Sequence, residues 1–209
     1  MKKPVVLLGL GGHAKVLIDV LELGNYEIKG YAAPSEQKSP YTIPYLGKDE
    51  VLGHYDKTEF MLINTLGSTS NLELRKQLFN NFKSQGYLFA TLIHPKAYVS
   101  NRAIIGEGVQ LMAGAIVQPF AVIGDNSIIN SNAVVEHDSL ISSNCHIAPG
   151  VTISGGVKVG ECTHIGTGAS VIQDIQIEDN VVVGAGAVVI KNVSKNKKMI
   201  GVPAKEVKK

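Results

Sequence analysis

The residues best equipped for chemistry cluster at a few places in the 209-residue chain. Glu136-His137-Asp138 sets an imidazole between two acids, directly after the apolar pair Val134-Val135. A carboxylate bonded to one ring nitrogen fixes the tautomer and leaves the other nitrogen free to take a proton, so this triplet can act as a general base. Gly155 follows His137 by eighteen residues and offers a backbone N–H with no side chain in front of it, suited to a developing oxyanion. His146 and His164 are also eighteen apart. Near the start, Gly9-Leu10-Gly11-Gly12-His13-Ala14 is a glycine-rich stretch of the kind that brings backbone N–H groups up to a phosphate. Each signal also has a plain reading. The triplet fits a solvated corner, and His13 fits an ordinary helix start.

What gives these spacings meaning is a period of six. From residue 97 to residue 192 the third position of every hexad is aliphatic: Val99, Ile105, Leu111, Val117, Ile123, Ile129, Val135, Ile141, Ile147, Ile153, Val159, Ile165, Val171, Ile177, Val183 and Val189. The first position is small or β-branched, as in Ala103, Ser127, Cys145 and Thr163. Such a run predicts a solenoid of very short strands, a hexapeptide-type parallel β-helix. Three hexads close one eighteen-residue coil of a triangular prism, with the third-position side chains stacked inside. Burial of each contributes on the order of 1.5–3 kcal/mol. Eighteen-residue spacing then places Gly155 one coil beyond His137, and stacks His146 and His164 on one outer face. Two such imidazoles could share a zinc with a third ligand from a neighbouring subunit. That scheme gives no role to Glu136-His137-Asp138 or to the N-terminal residues, and the favoured reading has no metal.

Residues 1–93 read as a separate α/β unit with a small parallel sheet, and residues 94–209 as the solenoid with its tail. Strands are predicted over 4–9, 26–31 and 60–66. Helices are predicted over 13–23, with Val16, Leu17, Val20 and Leu21 on one side, and over 71–85, with Leu74, Leu78 and Phe82 inward. The glycine turn passes for the dinucleotide pattern G-x-G-x-x-A. That reading needs an acid at the end of the second strand, where the chain has Gly30-Tyr31-Ala32-Ala33-Pro34. A phosphate-bearing ligand other than NAD is therefore expected.

Composition narrows the classes. The formal charge is +2 and the only basic run is the Lys-rich tail, read as a solvated end, so no nucleic-acid partner is expected. No apolar run reaches the ~18 residues of a membrane span, and Val5-Val6-Leu7-Leu8 is too short for a secretory signal. A cytoplasmic protein is expected. The two cysteines read as Cys145 inside the prism and Cys162 at a corner, with no disulfide.

Three motifs in this order carry a resemblance across the whole chain: Gly11-Gly12-His13-Ala14-Lys15, then Glu136-His137-Asp138 within the solenoid, then Gly201-Val202-Pro203-Ala204-Lys205. Together they resemble the sugar O/N-acyltransferases of the sialic-acid and bacillosamine type. The resemblance implies a left-handed β-helix, a homotrimer, and acetyl-CoA as co-substrate in the groove between neighbouring prisms, with no permanently bound cofactor. It implies His137 as base and Asp138 as its orienting acid. Acetyl-CoA contacts would fall on His146, Gly155, Thr167 and Ala185. Contacts to the nucleotide sugar would fall on Gly11, Gly12, His13 and Gly67. The family's pair of acids after the second strand is missing, replaced by Ala32 and Ala33. The expected activity is acetylation of the 4-amino group of a UDP-linked 4-amino-4,6-dideoxy sugar. Sugar O-acetylation and a non-catalytic sugar-nucleotide-binding solenoid remain the alternatives.

Overall fold

The computed structural model describes residues 2–67 and 72–207. The N-terminal part opens with β1 (Lys3–Leu8), α1 (Gly12–Leu23) and β2 (Tyr26–Ala32), followed by β3 (Tyr45–Gly47), a 3₁₀ turn (Asp49–His54), β4 (Met61–Asn64) and α2 (Leu72–Ser84). The four strands form one parallel sheet in the order β3-β2-β1-β4. β1 alternates its apolar residues between two cores, as a strand covered on both faces must. Val5 and Leu7 pack with α1, and Val6 and Leu8 pack with Phe79, Phe82 and Phe89.

Two helical faces differ from expectation. In α1, Ala14, Leu17, Ile18, Val20 and Leu21 are buried, whereas Val16 is exposed. In α2, Leu74 points to solvent and Arg75 points inward beside Phe79 and Phe82. The cause lies in the solenoid: Arg75 Nε donates to the carbonyl of Asn126 at 3.1 Å, and that contact fixes the rotation of the helix. β3 and the 3₁₀ turn were not anticipated, because residues 34–54 carry no periodic apolar pattern.

The solenoid begins slightly earlier than the 93/94 boundary. Leu92–Ile93 is already a rung, paired in parallel with Gln110–Leu111. From there the chain winds three parallel sheets. Face one carries Tyr98–Val99, Ile116–Val117, Val134–Val135, Thr152–Ile153, Ser170–Val171 and Val188–Val189. Face two runs from Ile104–Ile105 to Gln176–Ile177. Face three runs from Leu92–Ile93 through His146–Ile147 and His164–Ile165 to Lys198–Ile200. Pairings such as Ile129↔Ile147 and Ile147↔Ile165 hold the eighteen-residue register.

Both the third and the first hexad positions point inward, so the prism has two stacked rows per face. Small polar residues fit the first position because each finds a carbonyl at the corner of the next coil. Ser127 Oγ donates to Ser142, Ser139 Oγ to Ser154 and Thr163 Oγ1 to Glu178, each at 3.0 Å. A buried hydroxyl so paired avoids the desolvation cost of an orphan. Cys145 and Cys162 are both free thiols.

Residues 198–206 of the tail join the third sheet. Lys198–Ile200 adds to face three, and the chain turns at Gly201–Ala204 so that Lys205–Glu206 pairs back antiparallel, with Lys197 Nζ 2.6 Å from Glu206 Oε1. Among the described residues, no helix is long and apolar enough to cross a membrane.

Candidate active site

Val134–Val135 ends its strand on face one, and Glu136-His137-Asp138 forms the corner that leads to face two. Asp138 has φ 59°, a left-handed conformation that aspartate tolerates. His137 Nδ1 lies 2.7 Å from Asp138 Oδ2. A carboxylate only accepts, so Nδ1 carries the proton and Nε2 is the free base. This hydrogen bond raises the His137 pKa above its ordinary value, and the charges of Asp138, Glu136 and Asp174 add to the rise. Both side chains stand in solvent.

Gly155 is where the coil spacing places it. A Cβ built on it would fall 2.7 Å from both Cε1 and Nε2 of His137, so any side chain there would displace the ring. The next residue ties the coils together, with Gly156 N–H donating to the His137 carbonyl at 3.0 Å. A Cβ on Gly156 would meet Asp174 Oδ1 at 2.5 Å. Asp174, thirty-six residues after Asp138, is thus part of the same acidic corner. The sequence reading missed it, although the same spacing rule reaches it.

His146 and His164 pair in register on the outside of face three, ring centroids 4.9 Å apart at 62°. His146 is buried, and its Nε2 lies 3.0 Å from Asn130 Nδ2, which assigns it as an acceptor there. His164 has its pKa lowered by burial, and among the described residues its Nδ1 has no hydrogen-bond partner. Among the described residues, no three His, Cys, Asp or Glu side chains converge in a metal-binding group. Thr167 and Ala185 are exposed and stacked at the corner between faces three and one, where Gly186 N–H donates to the Thr167 carbonyl at 2.8 Å.

The candidate coenzyme residues therefore fall into two groups. Gly155 stands beside His137, at the corner between faces one and two. His146, Thr167 and Ala185 lie on face three and its corner with face one. In a three-sided prism, the corner between faces one and two is opposite face three. The structure of a single chain does not bring the two groups together.

The glycine turn joins β1 to α1. The N-cap of α1 is Gly11, which supplies no side-chain cap, and no acidic residue occupies the first turn. Among the described residues, no side chain caps the first N–H groups of the helix, an arrangement that favours an anion. Gly11 and Gly12 are exposed, and among the described residues a Cβ on either would meet nothing within 4 Å. Neither glycine is demanded by packing. Leu10 N–H donates to Gln37 Oε1 at 2.6 Å, folding the 34–44 loop back beside the turn. A cleft of about 670 Å³ opens there, lined by Leu10, Tyr31, Gln37, Tyr41 and Tyr45 among others. Ala32 and Ala33 are fully buried, which leaves no room at those positions for the missing acids.

His13 does not point freely into this space. Its Nε2 is 2.8 Å from Gln110 Oε1 on face three. Burial lowers its pKa, Arg75 lowers it further, and the Gln110 bond offsets part of this, leaving about 4. Gly67 lies alongside, where a Cβ would be 3.3 Å from His13 Cβ. Gln110 Nε2 donates to the Asn64 carbonyl at 2.7 Å, and Asn64 Nδ2 donates to Asn126 Oδ1 at 3.1 Å. Arg75 is wholly buried, its pKa lowered to about 9 by desolvation, and Nη1 donates to the carbonyls of Asn64 and Leu66. A polar seam thus fastens the glycine turn to the solenoid, and sequence reasoning had no signal for it.

The site and the prism define a hexapeptide-repeat acyltransferase carrying an additional N-terminal α/β domain. Comparison with known proteins agrees. Residues 102–137 and 120–155 match the bacterial transferase hexapeptide (six repeats), and residues 4–82 match the PglD N-terminal domain. The chain is 35% identical to the acetyltransferase domain of PglB from Neisseria gonorrhoeae FA1090, at a TM-score of 0.92, covering 99% of this chain and 100% of that one. It is likewise 35% identical to PerB from Caulobacter crescentus in complex with CoA and GDP-perosamine, at a TM-score of 0.90, covering 98% and 97%. A UDP-N-acetylbacillosamine N-acetyltransferase of Bacillus subtilis (strain 168) is 38% identical over 118 residues, which span 53% of this chain and about half, 52%, of that curated relative. The chain belongs to the PglD-like sugar N-acetyltransferases, and its solenoid is the left-handed β-helix of that family.

Proposed function

We propose that this protein transfers acetyl from acetyl-CoA to the 4-amino group of a UDP-linked 4-amino-4,6-dideoxy-N-acetyl sugar. The observation that carries the proposal is the His137 corner: an exposed imidazole, oriented through Nδ1 by Asp138 at 2.7 Å, with Gly155 pressed against the ring. The acceptor nitrogen attacks the thioester carbonyl as His137 Nε2 takes its proton. The tetrahedral oxyanion is met by Gly155 N–H. The C–S bond then breaks, and the coenzyme A thiolate leaves and takes the proton back from His137. Asp138 holds the imidazole in its tautomer throughout.

Acetyl-CoA is assigned to Gly155, His146, Thr167 and Ala185, with no metal. The opposite placement of the His137 corner and face three supports a homotrimer, in which the corner of one prism meets the face-three side of its neighbour. Gly11, Gly12, His13 and Gly67 are assigned to the sugar nucleotide, with the diphosphate at the uncapped start of α1. A GDP-linked 4-amino sugar is the second reading, favoured by the near-complete match to PerB, whose complex holds GDP-perosamine.

The test is free-thiol release from acetyl-CoA with a panel of UDP- and GDP-linked 4-amino sugars and their 4-hydroxy counterparts. Turnover with a UDP-4-amino sugar is expected. Turnover confined to GDP-sugars or to hydroxyl acceptors would replace the acceptor named here. No thiol release with any of them, alongside tight sugar-nucleotide binding, would make the solenoid a binding module.

A further inference from the structure

Every hexad from 108 to 186 ends in a residue with positive φ. Six of these ends are Gly, at 108, 114, 150, 156, 168 and 186. Four are Asn, at 126, 132, 144 and 180, and two are Asp, at 138 and 174. These are the residue types that enter the left-handed region with least strain. Two positions break the rule: Cys162 at φ 54° and Phe120 at φ 63°. Cys162 is buried, as a small thiol can be. Phe120 is the outlier, because a bulky aromatic in this conformation is strained and its side chain is 59% exposed. It belongs to none of the buried clusters of the described residues. Residues held in a strained backbone conformation gather at functional sites.

The location of Phe120 is specific. It occupies the Asp138 position one coil earlier, at the same corner between faces one and two, where Asp138 N–H donates to the Pro119 carbonyl at 3.3 Å. Adjacent rungs lie roughly 4.8 Å apart, so the Phe120 backbone sits one rung from Asp138, whose carboxylate orients His137. On its other side, Arg102 approaches the ring with the guanidinium carbon 6.0 Å from the centroid. Along this corner the order is Arg102, Phe120, Asp138, Gly156, Asp174. An aromatic residue therefore stands in a column that also carries Arg102, Asp138 and Asp174, one rung from the corner of the proposed base.

We propose that Phe120 is a positioning residue for the acceptor: its ring is the platform on which the C–H face of the deoxy sugar rests while the 4-amino nitrogen meets His137. The negative face of an aromatic ring attracts weakly positive C–H groups, and a 6-deoxy sugar presents a methyl where other hexoses carry a hydroxymethyl. This inference rests on the acetyltransferase reading above.

Phe120→Asn separates platform from packing, since asparagine accepts the backbone conformation without an aromatic ring. Relief of strain should raise Tm by roughly 2–4 °C. The KM for the sugar nucleotide should rise about tenfold or more, and the KM for acetyl-CoA should change less than about twofold. Phe120→Tyr should keep both constants near wild type. An unchanged sugar-nucleotide KM in Phe120→Asn would overturn the proposal. So would a lower Tm with a smaller assembly in light scattering, which would make Phe120 a subunit contact, or a rise confined to the acetyl-CoA KM. A wild type that acetylates no sugar nucleotide would remove both readings. A wild type that does so, matched by Phe120→Asn, would remove this one alone.

Discussion

His13 Nε2 and Gln110 Oε1 are 2.8 Å apart although 97 residues separate them in the chain, and this contact seats the glycine turn on the solenoid. It has a pH signature. The His13 pKa falls from 6.5 to about 4 on folding, so between these values the unfolded chain binds a proton that the folded one does not. Stability must then rise with pH across that window and be lost as pH falls through it. Denaturant unfolding of wild type and His13→Asn at several pH values isolates the effect. The wild-type advantage should shrink by on the order of 2–3 kcal/mol between pH 6.5 and pH 4. A difference independent of pH would mean that His13 titrates normally.

The His137 corner predicts a different pH dependence. A base works deprotonated, so kcat/KM should climb with pH through the His137 pKa, which Asp138 holds above the usual histidine value. Asp138→Asn removes that support. The acid limb should move to lower pH while the plateau drops, because the ring loses its orienting partner. His137→Ala should lose about 10²–10⁴-fold in turnover with Tm unchanged, since the side chain packs against no core. Near wild-type turnover in His137→Ala would take the residue out of the chemistry.

At the glycine turn, Gly12→Val tests the approach of the diphosphate. A Cβ at Gly12 meets nothing within 4 Å among the described residues, so the fold should accept the substitution. The KM for the sugar nucleotide should rise strongly and that for acetyl-CoA should hold. A parallel rise in both would end the division of labour between the two domains.

Ile147→Asp probes the register. Ile147 is wholly buried between Ile129 and Ile165, and a carboxylate there has no partner. Expression of soluble, cooperatively melting protein from this variant would contradict the packing described above.

The solenoid was readable because its contacts repeat. One aliphatic residue every six fixes which side chains stack, and eighteen-residue arithmetic alone placed Gly155 against His137 and His146 on His164. The N-terminal domain was readable where apolar periodicity marks strands, and unreadable where polar pairings made at a distance decide the outcome. Arg75 turned α2 away from its Leu74 face because the carbonyls of Asn64, Leu66 and Asn126 needed a donor and the guanidinium supplied it. The Gln37 contact to Leu10 and the Asn130 contact to His146 have no period and leave no trace in sequence. Phe120 was visible as a residue. That it stands among Gly, Asn and Asp at every sixth position is written in the sequence, whereas its left-handed backbone shows only in its φ.

The eighteen-residue coil also sets what lengths of chain evolution can add or remove without loss. An insertion of eighteen between His164 and Thr167 would lengthen the prism by one storey and leave each column vertical. An insertion of six at a corner between His137 and Gly155 would rotate all later storeys by one side, carrying Gly155 from the His137 corner to the next one. An insertion of one within a strand would turn its inward row outward. The molecule thus has a frame, as a coding sequence does, but with a unit of six for turning and of eighteen for growth. Only bulges at the corners, which leave the following strands in step, escape that constraint.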